Sequence, residues 1–110
     1  MKKITFLGDS LKRLKAFPNE ARLEAGYNLY LIQRGELPVD FKPMQAVGPG
    51  VYEIRIKGDD GSFRVFYVAN LPEAVFVLHA FQKKSRATSK KDIALGRERY
   101  RALPGGERNG

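Results

Sequence analysis

Five basic side chains fall within nine residues near the C-terminal third of the chain, and no carboxylate lies among them. The five are Lys83, Lys84, Arg86, Lys90 and Lys91, and they follow an apolar run that ends at Phe81. Cations at this density attract polyanions, and a guanidinium group binds a phosphate group through two parallel hydrogen bonds. The pattern therefore predicts a phosphate-facing rim where a strand ends. A solvated basic loop is the simpler explanation of the same residues.

Two arginines, Arg55 and Arg64, lie in neighbouring apolar runs on either side of the turn sequence GDDGS. Strand alternation places Glu53, Arg55 and Lys57 on one face of the first run, and the hairpin brings Arg64 close to the end of that strand. Cations from separate strands would then surround one hollow that fits a phosphodiester group. The alternative is a set of cross-strand ion pairs, each of which contributes little to stability.

Three other side chains are candidates for proton transfer beside such a phosphate group. Glu53 is the candidate base, and His79 or Tyr67 is the candidate acid. His79 is expected on the same face of its strand as Val77 and Phe81. A single histidine in a strand is more often a packed, hydrogen-bonded residue than a catalyst, and that alternative stays open.

Charge is distributed unevenly along the 110 residues, whose formal net charge is +8. Residues 1–78 carry 11 Lys/Arg against 9 Asp/Glu, whereas residues 79–110 carry 9 against 3. This asymmetry favours a polyanionic partner, either a nucleic acid or a strongly acidic protein. The chain has no cysteine, which excludes a disulfide framework, a thiolate zinc site and a cysteine nucleophile.

The first residues, MKKITFLGDS, combine a basic start with an apolar run that is too short for a secretory signal, and they predict a first strand. No apolar stretch approaches the length of a membrane span. We therefore expect no membrane partner, and the absence of cysteine fits a reducing cytoplasm. We also expect no metal and no small-molecule cofactor.

The first half of the chain predicts one strand and two helices. The strand covers residues 2–7, and a brief helix over 11–17 can be capped by Asp9 or Ser10. A longer helix runs from Pro18 to about Arg34 and ends at Gly35. The proline-rich segment that follows, residues 37–50, is predicted as a loop.

The second half predicts three strands and a helix. The strands cover residues 51–57, 63–69 and 74–81 and form an antiparallel meander, whose middle strand is buried on both sides. A helix over 90–103 follows, and residues 104–110 are a disordered tail, so that one domain spans residues 1–103.

The predicted fold class is α+β, with the element order β-α-α-β-β-β-α. A helical hairpin covers one face of a small, antiparallel-rich sheet because the strands must bury their apolar residues. The opposite face is expected to be free, with a weakly anchored C-terminal helix beside it.

Three segments of this meander resemble the phage-derived group of HigB/RelE-like toxins within the RelE/ParE superfamily. They are YEIR at 52–55, FRVFY at 63–67 and LHAFQKKSRAT at 78–88. That group typically combines an ELR-type strand, an aromatic-Arg-Val strand, and a third strand that runs into a basic segment before a terminal helix. The similarity is close over residues 50–100.

The resemblance implies a RelE-like fold and the toxin of a type II toxin–antitoxin system. Such toxins are ribosome-dependent, metal-independent messenger RNA endoribonucleases (mRNA interferases) that cut in the A site. The ribose 2′-hydroxyl attacks the adjacent phosphorus, and a cognate helix-turn-helix antitoxin silences the enzyme.

The resemblance also implies roles for individual residues. Arg64 matches the arginine that stabilises the transition state, Arg55 a second phosphate contact, and Lys84 the basic residue after the last strand. The predicted RNA-binding residues are Lys57, Lys83, Arg86, Lys90 and Lys91.

The chain departs from the group at two places. It has Val51 and Glu53 where some relatives carry lysines, and it lacks a tyrosine or histidine between Lys84 and Lys91, where many relatives carry an acid or base. Glu53 and His79 are proposed as substitutes. The alternative function is a non-catalytic or gyrase-directed binding protein of the RelE/ParE fold and of phage origin.

Overall fold

A computed structural model describes residues 1–104, in which three helices and five strands follow one another along the chain. The elements are β1 (Ile4–Phe6), α1 (Ser10–Lys15), α2 (Asn19–Gln33), β2 (Phe41–Pro43), β3 (Val51–Gly58), β4 (Gly61–Val68), β5 (Val75–Lys83) and α3 (Lys90–Arg101). The predicted α+β fold is confirmed, with one strand added to the predicted order. The disordered tail predicted at 104–110 lies outside the described residues, apart from Pro104. None of the helices in residues 1–104 is long and apolar enough to cross a lipid bilayer.

The strand β4 lies at the centre of a five-stranded sheet with the order β1-β5-β4-β3-β2. Antiparallel pairing joins β2 to β3, β3 to β4 and β4 to β5, whereas β1 runs parallel to β5. All residues of β4 from Phe63 to Val68 are buried. The predicted burial of this strand on both sides is confirmed.

The edge strand β2 lies inside the segment that the sequence predicts to be a loop. Its residues pair with Ile54, Glu53 and Tyr52 of β3. Proline cannot donate a hydrogen bond to a neighbouring strand and is tolerated at sheet edges, so Pro43 is compatible with this position. The loop prediction is wrong for these three residues, because pairing with β3 stabilises a strand that local propensity does not indicate.

The helices α1 and α2 cover one face of the sheet, as predicted. They contribute Leu14, Phe17, Ala21, Ala25, Leu29 and Ile32 to an apolar core whose sheet residues include Ile54, Ile56, Phe63, Val65, Val75 and Val77. On α2 these residues recur every three or four positions, which is the spacing of one helix face. The hairpin thus buries one side of β3, β4 and β5.

The helix α3 covers the opposite face, which the sequence predicted to be free. A second apolar cluster fills the space beneath it, formed by Val47, Val51, Phe66, Val68, Leu71, Ala74, Phe76, Leu78, Phe81 and Leu103. Ile93 and Tyr100 of α3 pack against this cluster. The prediction of a weakly anchored helix is wrong, because Val47, Leu71 and Leu103 lie outside regular elements and supply apolar surface that strand and helix periodicity does not count.

Polar contacts tie α3 to the start of the chain. Arg99 donates from Nη2 to the Asp9 carboxylate at 2.7 Å and from Nη1 to the Leu78 carbonyl at 3.1 Å. Asp9 makes no side-chain cap to α1, contrary to the sequence prediction, and instead accepts a hydrogen bond from Arg13 at 2.8 Å. The bond from Arg13, together with that from Arg99 and against the effect of burial, lowers the pKa of Asp9 to about 2.

Gly96 permits the close approach of α3 to the sheet. A Cβ at this position would lie 2.9 Å from Cδ2 of Phe66 and 3.1 Å from Cγ1 of Val47. We predict that Gly96→Ala lowers the free energy of unfolding by about 1 to 2 kcal/mol, because overpacking outweighs the gain in helix propensity. Urea unfolding measures the change.

Gly26 offers the matched control, since it lies within α2 and a Cβ there would meet no atom within 4 Å. Gly26→Ala should raise the free energy of unfolding by about 0.5 to 1 kcal/mol. If Gly96→Ala stabilised the protein as much as Gly26→Ala, the described packing of α3 on Phe66 would be wrong.

Candidate nucleic-acid interface

A basic groove opens at the end of the sheet where β4 begins and β5 ends. Pairing of Ser62 with Lys83 and of Arg64 with Phe81 brings the two strands together at this end. The groove has a volume of about 350 Å³ and is lined by Ser62, Arg64, Lys83, Lys84, Ser85 and Arg86. Four of its six lining residues are cations, and the two serines add hydroxyl groups that can donate to an anion. We call this depression the basic groove.

Arg64 forms the inner wall of the basic groove. The residue is 6% exposed, and its Nη1 donates to the Phe63 carbonyl at 3.1 Å. Its remaining N–H groups make no hydrogen bond to the described residues, although a guanidinium group carries five donors. Arg64 therefore has unused donor capacity where it borders the groove, as an anion-binding arginine requires.

Glu53 lies beside Arg64 and is fully buried. Its Oε1 is 3.6 Å from Nε of Arg64 and 4.0 Å from Nζ of Lys42, and its Oε2 accepts a long hydrogen bond of 3.4 Å from Thr88. Glu53 Oε1 and Arg64 Nε are both buried and have no hydrogen-bond partner in the part of the chain that the structure describes. The sequence placed Glu53 on an open face, and this is wrong because Thr88 and the segment leading into α3 cover it.

Arg55 is directly opposite Arg64 in the pairing of β3 with β4, as the sequence predicted. Its guanidinium group binds Asp40 at 3.0 Å, and both side chains are more than one-third exposed. Lys57 pairs with Ser62, a lining residue of the groove, and is itself exposed. Both cations thus flank the basic groove on the β3 side, with Arg55 engaged by a carboxylate.

Neighbouring charges affect the pKa of Lys83. Partial burial lowers the pKa of its ammonium group, and repulsion from Arg64 lowers it further. The Glu53 carboxylate raises the pKa, whereas Lys42 and Arg55 lower it. Cations on β2, β3 and β4 are therefore close enough to Lys83, at the end of β5, to lower its pKa.

The other predicted cations differ in their relation to the groove. Lys84 and Arg86 line it and are exposed to solvent. Lys90 and Lys91 are exposed in the first turn of α3 and are not among the lining residues. They extend the basic surface beyond the groove along the start of the helix.

His79 lies away from the basic groove, and it is fully buried beneath α3. A β-bulge shifts the register so that His79 opposes Phe66 while Val77 opposes Tyr67. His79 therefore stacks on Phe81, with ring centroids 4.9 Å apart, on the α3 side of the sheet. Val77 packs into the hairpin-side core. The predicted common face of Val77 and His79 is wrong, because one extra residue in a strand reverses the alternation.

The polar partners of His79 fix its protonation. Nε2 lies 2.7 Å from Asp92 and Nδ1 lies 3.5 Å from Nη1 of Arg99. A neutral ring with the proton on Nε2 donates to Asp92 and leaves Nδ1 to accept from Arg99. Burial lowers the pKa of His79; Asp92 opposes this, and the charges of Arg13 and Arg99 add to the lowering.

Tyr67 lies on the hairpin side of the sheet, away from the basic groove. Burial, with a smaller effect of Tyr52, raises the pKa of Tyr67 to about 12. It borders a second cavity of about 940 Å³ between the C-terminal end of α2 and the sheet, whose floor also includes Phe41 and Tyr52. This cavity has an aromatic floor and no cluster of cations comparable to that of the basic groove.

Lys42, Ser62 and Thr88 are part of the site, but the sequence analysis did not identify them. Lys42 was assigned to a loop, although β2 places it opposite Glu53. Ser62 was assigned to the turn GDDGS, although it lies in β4 two residues before Arg64 and on the same face of the strand. Thr88 belongs to the motif SRAT in the segment before α3. Within residues 1–104, no three His, Asp or Glu side chains are grouped as a metal site would require.

The fold and the groove define a small α+β protein that presents a cationic depression at one end of its sheet. The family model described as Phage derived protein Gp49-like (DUF891) matches residues 12–101, and the chain belongs to this family of phage-derived proteins. The family is associated with the toxins of toxin–antitoxin systems. No curated protein matches the chain. The phage-derived resemblance is confirmed at this level, and the assignment to HigB/RelE stays a prediction.

The buried His79 generates a prediction about pH, since the chain contains one histidine. Because its pKa is lowered in the folded state, the unfolded chain takes up this proton first as the pH falls through the ordinary value near 6.5. The free energy of unfolding should therefore decrease between pH 7 and pH 5, where most carboxylates remain ionised. Urea unfolding at several pH values measures the slope.

His79→Gln is the matched control, because glutamine keeps a side chain able to donate to Asp92 but does not titrate. The variant should be less stable at pH 7 and show a flatter pH dependence down to pH 5. An equal slope in both proteins would mean that another group causes the loss of stability.

Proposed function

We propose that this protein is the toxin of a type II toxin–antitoxin system and cleaves messenger RNA on the ribosome as a metal-independent endoribonuclease. The observation that carries the proposal is the enclosed Arg64, whose unused donors border a groove shared with Lys83, Lys84 and Arg86. The groove is of the size and charge that a phosphodiester group requires. Membership of the Gp49-like family supports the toxin role.

The proposed reaction needs charge stabilisation at phosphorus above all. The ribose O2′ forms a bond to phosphorus while the bond from phosphorus to O5′ breaks, which gives a 2′,3′-cyclic phosphate and a free 5′-hydroxyl group. The proton leaves O2′ for a base, and the departing O5′ takes up a proton. Arg64 stabilises the negative charge on the phosphoryl oxygens, assisted by Lys84 and Arg86.

The proposed proton donor to O5′ is Lys83. It lines the groove, and its lowered pKa eases transfer of a proton from the ammonium group. His79 and Tyr67, the acids proposed from the sequence, are enclosed beneath α3 and on the hairpin side of the sheet. We therefore assign His79 to anchoring α3 and Tyr67 to packing. Glu53, the base proposed from the sequence, is enclosed beside Arg64.

The remaining cations suit the backbone of a longer RNA. Lys57, Lys90 and Lys91 are exposed on either side of the basic groove, and Arg55 gains a second anion if it releases Asp40. Contacts of this kind bind RNA without reading its sequence and weaken as salt is added. An acidic segment of a cognate helix-turn-helix antitoxin would neutralise the same surface, and the ribosome would present the messenger RNA.

The decisive experiment is mapped cleavage of a defined transcript on translating ribosomes. We predict that wild-type protein cuts within codons at the A site and that Arg64→Ala lowers the rate by about 100-fold or more, as expected when a charge-stabilising donor is lost. Arg22→Ala is the control, because Arg22 is an exposed cation on α2 that bonds to Asn19. The control should cut at the wild-type rate.

Three outcomes would count against the proposal. A folded Arg64→Ala protein that cuts normally would remove Arg64 from the reaction. DNA damage without cut transcripts would favour the gyrase-directed alternative. If neither cut transcripts nor DNA damage were found, a non-catalytic binding role for the basic groove would be favoured.

A further inference from the structure

The pair formed by Glu53 and Arg64 is incomplete in an unusual way. Their closest charged atoms are 3.6 Å apart, which is close enough for strong attraction and too far for a good hydrogen bond. Both atoms are buried and have no hydrogen-bond partner among residues 1–104. Folded proteins rarely leave buried charged groups in this condition, because each unpaired group costs stability.

The surroundings of Glu53 hold its carboxylate loosely. Thr88 donates to it at 3.4 Å, and the Lys42 ammonium is 4.0 Å away. No contact is as short as the 2.7 Å between Arg99 and Asp9 elsewhere in the same fold. The carboxylate therefore has three weak partners, one of which is Arg64; if Arg64 turns to another anion, the Thr88 hydroxyl and the Lys42 ammonium are still beside it.

The hydrogen bonding of Arg64 is also incomplete, so that it can bind a further anion. The guanidinium group makes one hydrogen bond, to the Phe63 carbonyl; its Nε–H is buried and faces Glu53, and Arg64 also lines the basic groove. An anion in the groove would satisfy two donors of Arg64 in parallel, which Glu53 does not. Phosphate and Glu53 are thus competitors for the same side chain.

We infer that Glu53 is a displaceable counter-ion that holds Arg64 in place while the basic groove is empty and yields it to an RNA phosphate group. Glu53 is then a positioning residue and not the base that removes the 2′ proton. Without the carboxylate, Arg64 would be a buried and uncompensated charge in the empty protein. With the Glu53 carboxylate in place, the phosphate site is preformed, but the affinity for phosphate is lower because the carboxylate competes for Arg64. This inference rests on the proposed phosphate role of Arg64.

Titration with inorganic phosphate at low ionic strength, followed by NMR, tests the competition without ribosomes. We predict that Glu53→Gln, which keeps the shape of the side chain and removes its charge, binds phosphate about three- to tenfold more tightly than wild type. Glu36→Gln is the matched control: it removes the same charge from an exposed carboxylate that pairs with Arg34 outside the groove. The control should bind phosphate as wild type does.

The outcomes separate this inference from the proposed function. If Arg64→Ala binds phosphate as wild type does, the phosphate role of Arg64 is wrong. If Arg64→Ala loses binding but Glu53→Gln gains none, the site stands and the counter-ion role is wrong. Should Glu53→Gln fail to fold, the Nε–H signal of Arg64 in wild type decides: it must shift on saturation with phosphate, and an unmoved signal overturns the inference.

Cleavage distinguishes a counter-ion from a base. As a counter-ion, Glu53 can be replaced by glutamine with a lower KM, a retained turnover and an unchanged acidic limb of the pH profile. If Glu53 is the base, glutamine cannot replace it, because an amide does not accept the proton. Turnover would then collapse, and the acidic limb of the pH profile would disappear. If Glu53→Gln lost turnover and the acidic limb while its phosphate affinity stayed that of wild type, Glu53 would be the base and the inference would be wrong.

Discussion

Burial of one charged pair between the sheet and the C-terminal segment is the constraint on which the basic groove depends. Glu53 is fully buried and Arg64 nearly so, and charges in such positions persist next to an opposite charge. Thr88, in the segment between β5 and α3, donates a long hydrogen bond to Glu53. The same segment supplies Lys84, Ser85 and Arg86 to the lining of the groove, so that it contributes both to the burial of the carboxylate and to the cationic surface.

The groove gathers like charges, which repel one another, and the fold limits that cost in two ways. Lys84 and Arg86 extend into solvent, where water and salt screen their repulsion. Nearer the sheet, Glu53 lies between Arg64 and Lys42, and Asp40 binds Arg55. The buried Glu53 carboxylate thus lies beside the buried Arg64, whereas the uncompensated charges of Lys84 and Arg86 lie on the exposed surface, where a polyanion can approach.

Periodicity in the sequence was sufficient for every element except β2 and for the approach of Arg64, Arg55 and Lys83, because strand alternation and a short hairpin leave few alternatives. It was insufficient wherever a single residue changes the geometry. The bulge near Leu78 places His79 beneath α3, and alternation carries no sign of it. The burial of Glu53 depends on Thr88, which is 35 residues away along the chain and belongs to a loop. Such tertiary contacts override local pattern, and they decide whether a carboxylate acts as an exposed base or as an enclosed partner.

The positions of His79 and Tyr67 limit which chemistry the groove can perform. Each occupies a place in which its polar atoms serve the fold: the imidazole joins Asp92 to Arg99, and the phenol borders the cavity on the hairpin side. What remains beside the groove is a set of cations and one enclosed carboxylate. A nuclease built in this way would depend mainly on stabilising negative charge at phosphorus and on geometry imposed by its partner, since orientation of the ribose 2′-hydroxyl can supply much of the barrier reduction. The proposed dependence on the ribosome would then follow from the site, because the messenger RNA would have to arrive held in a reactive geometry that the protein's own residues do not impose.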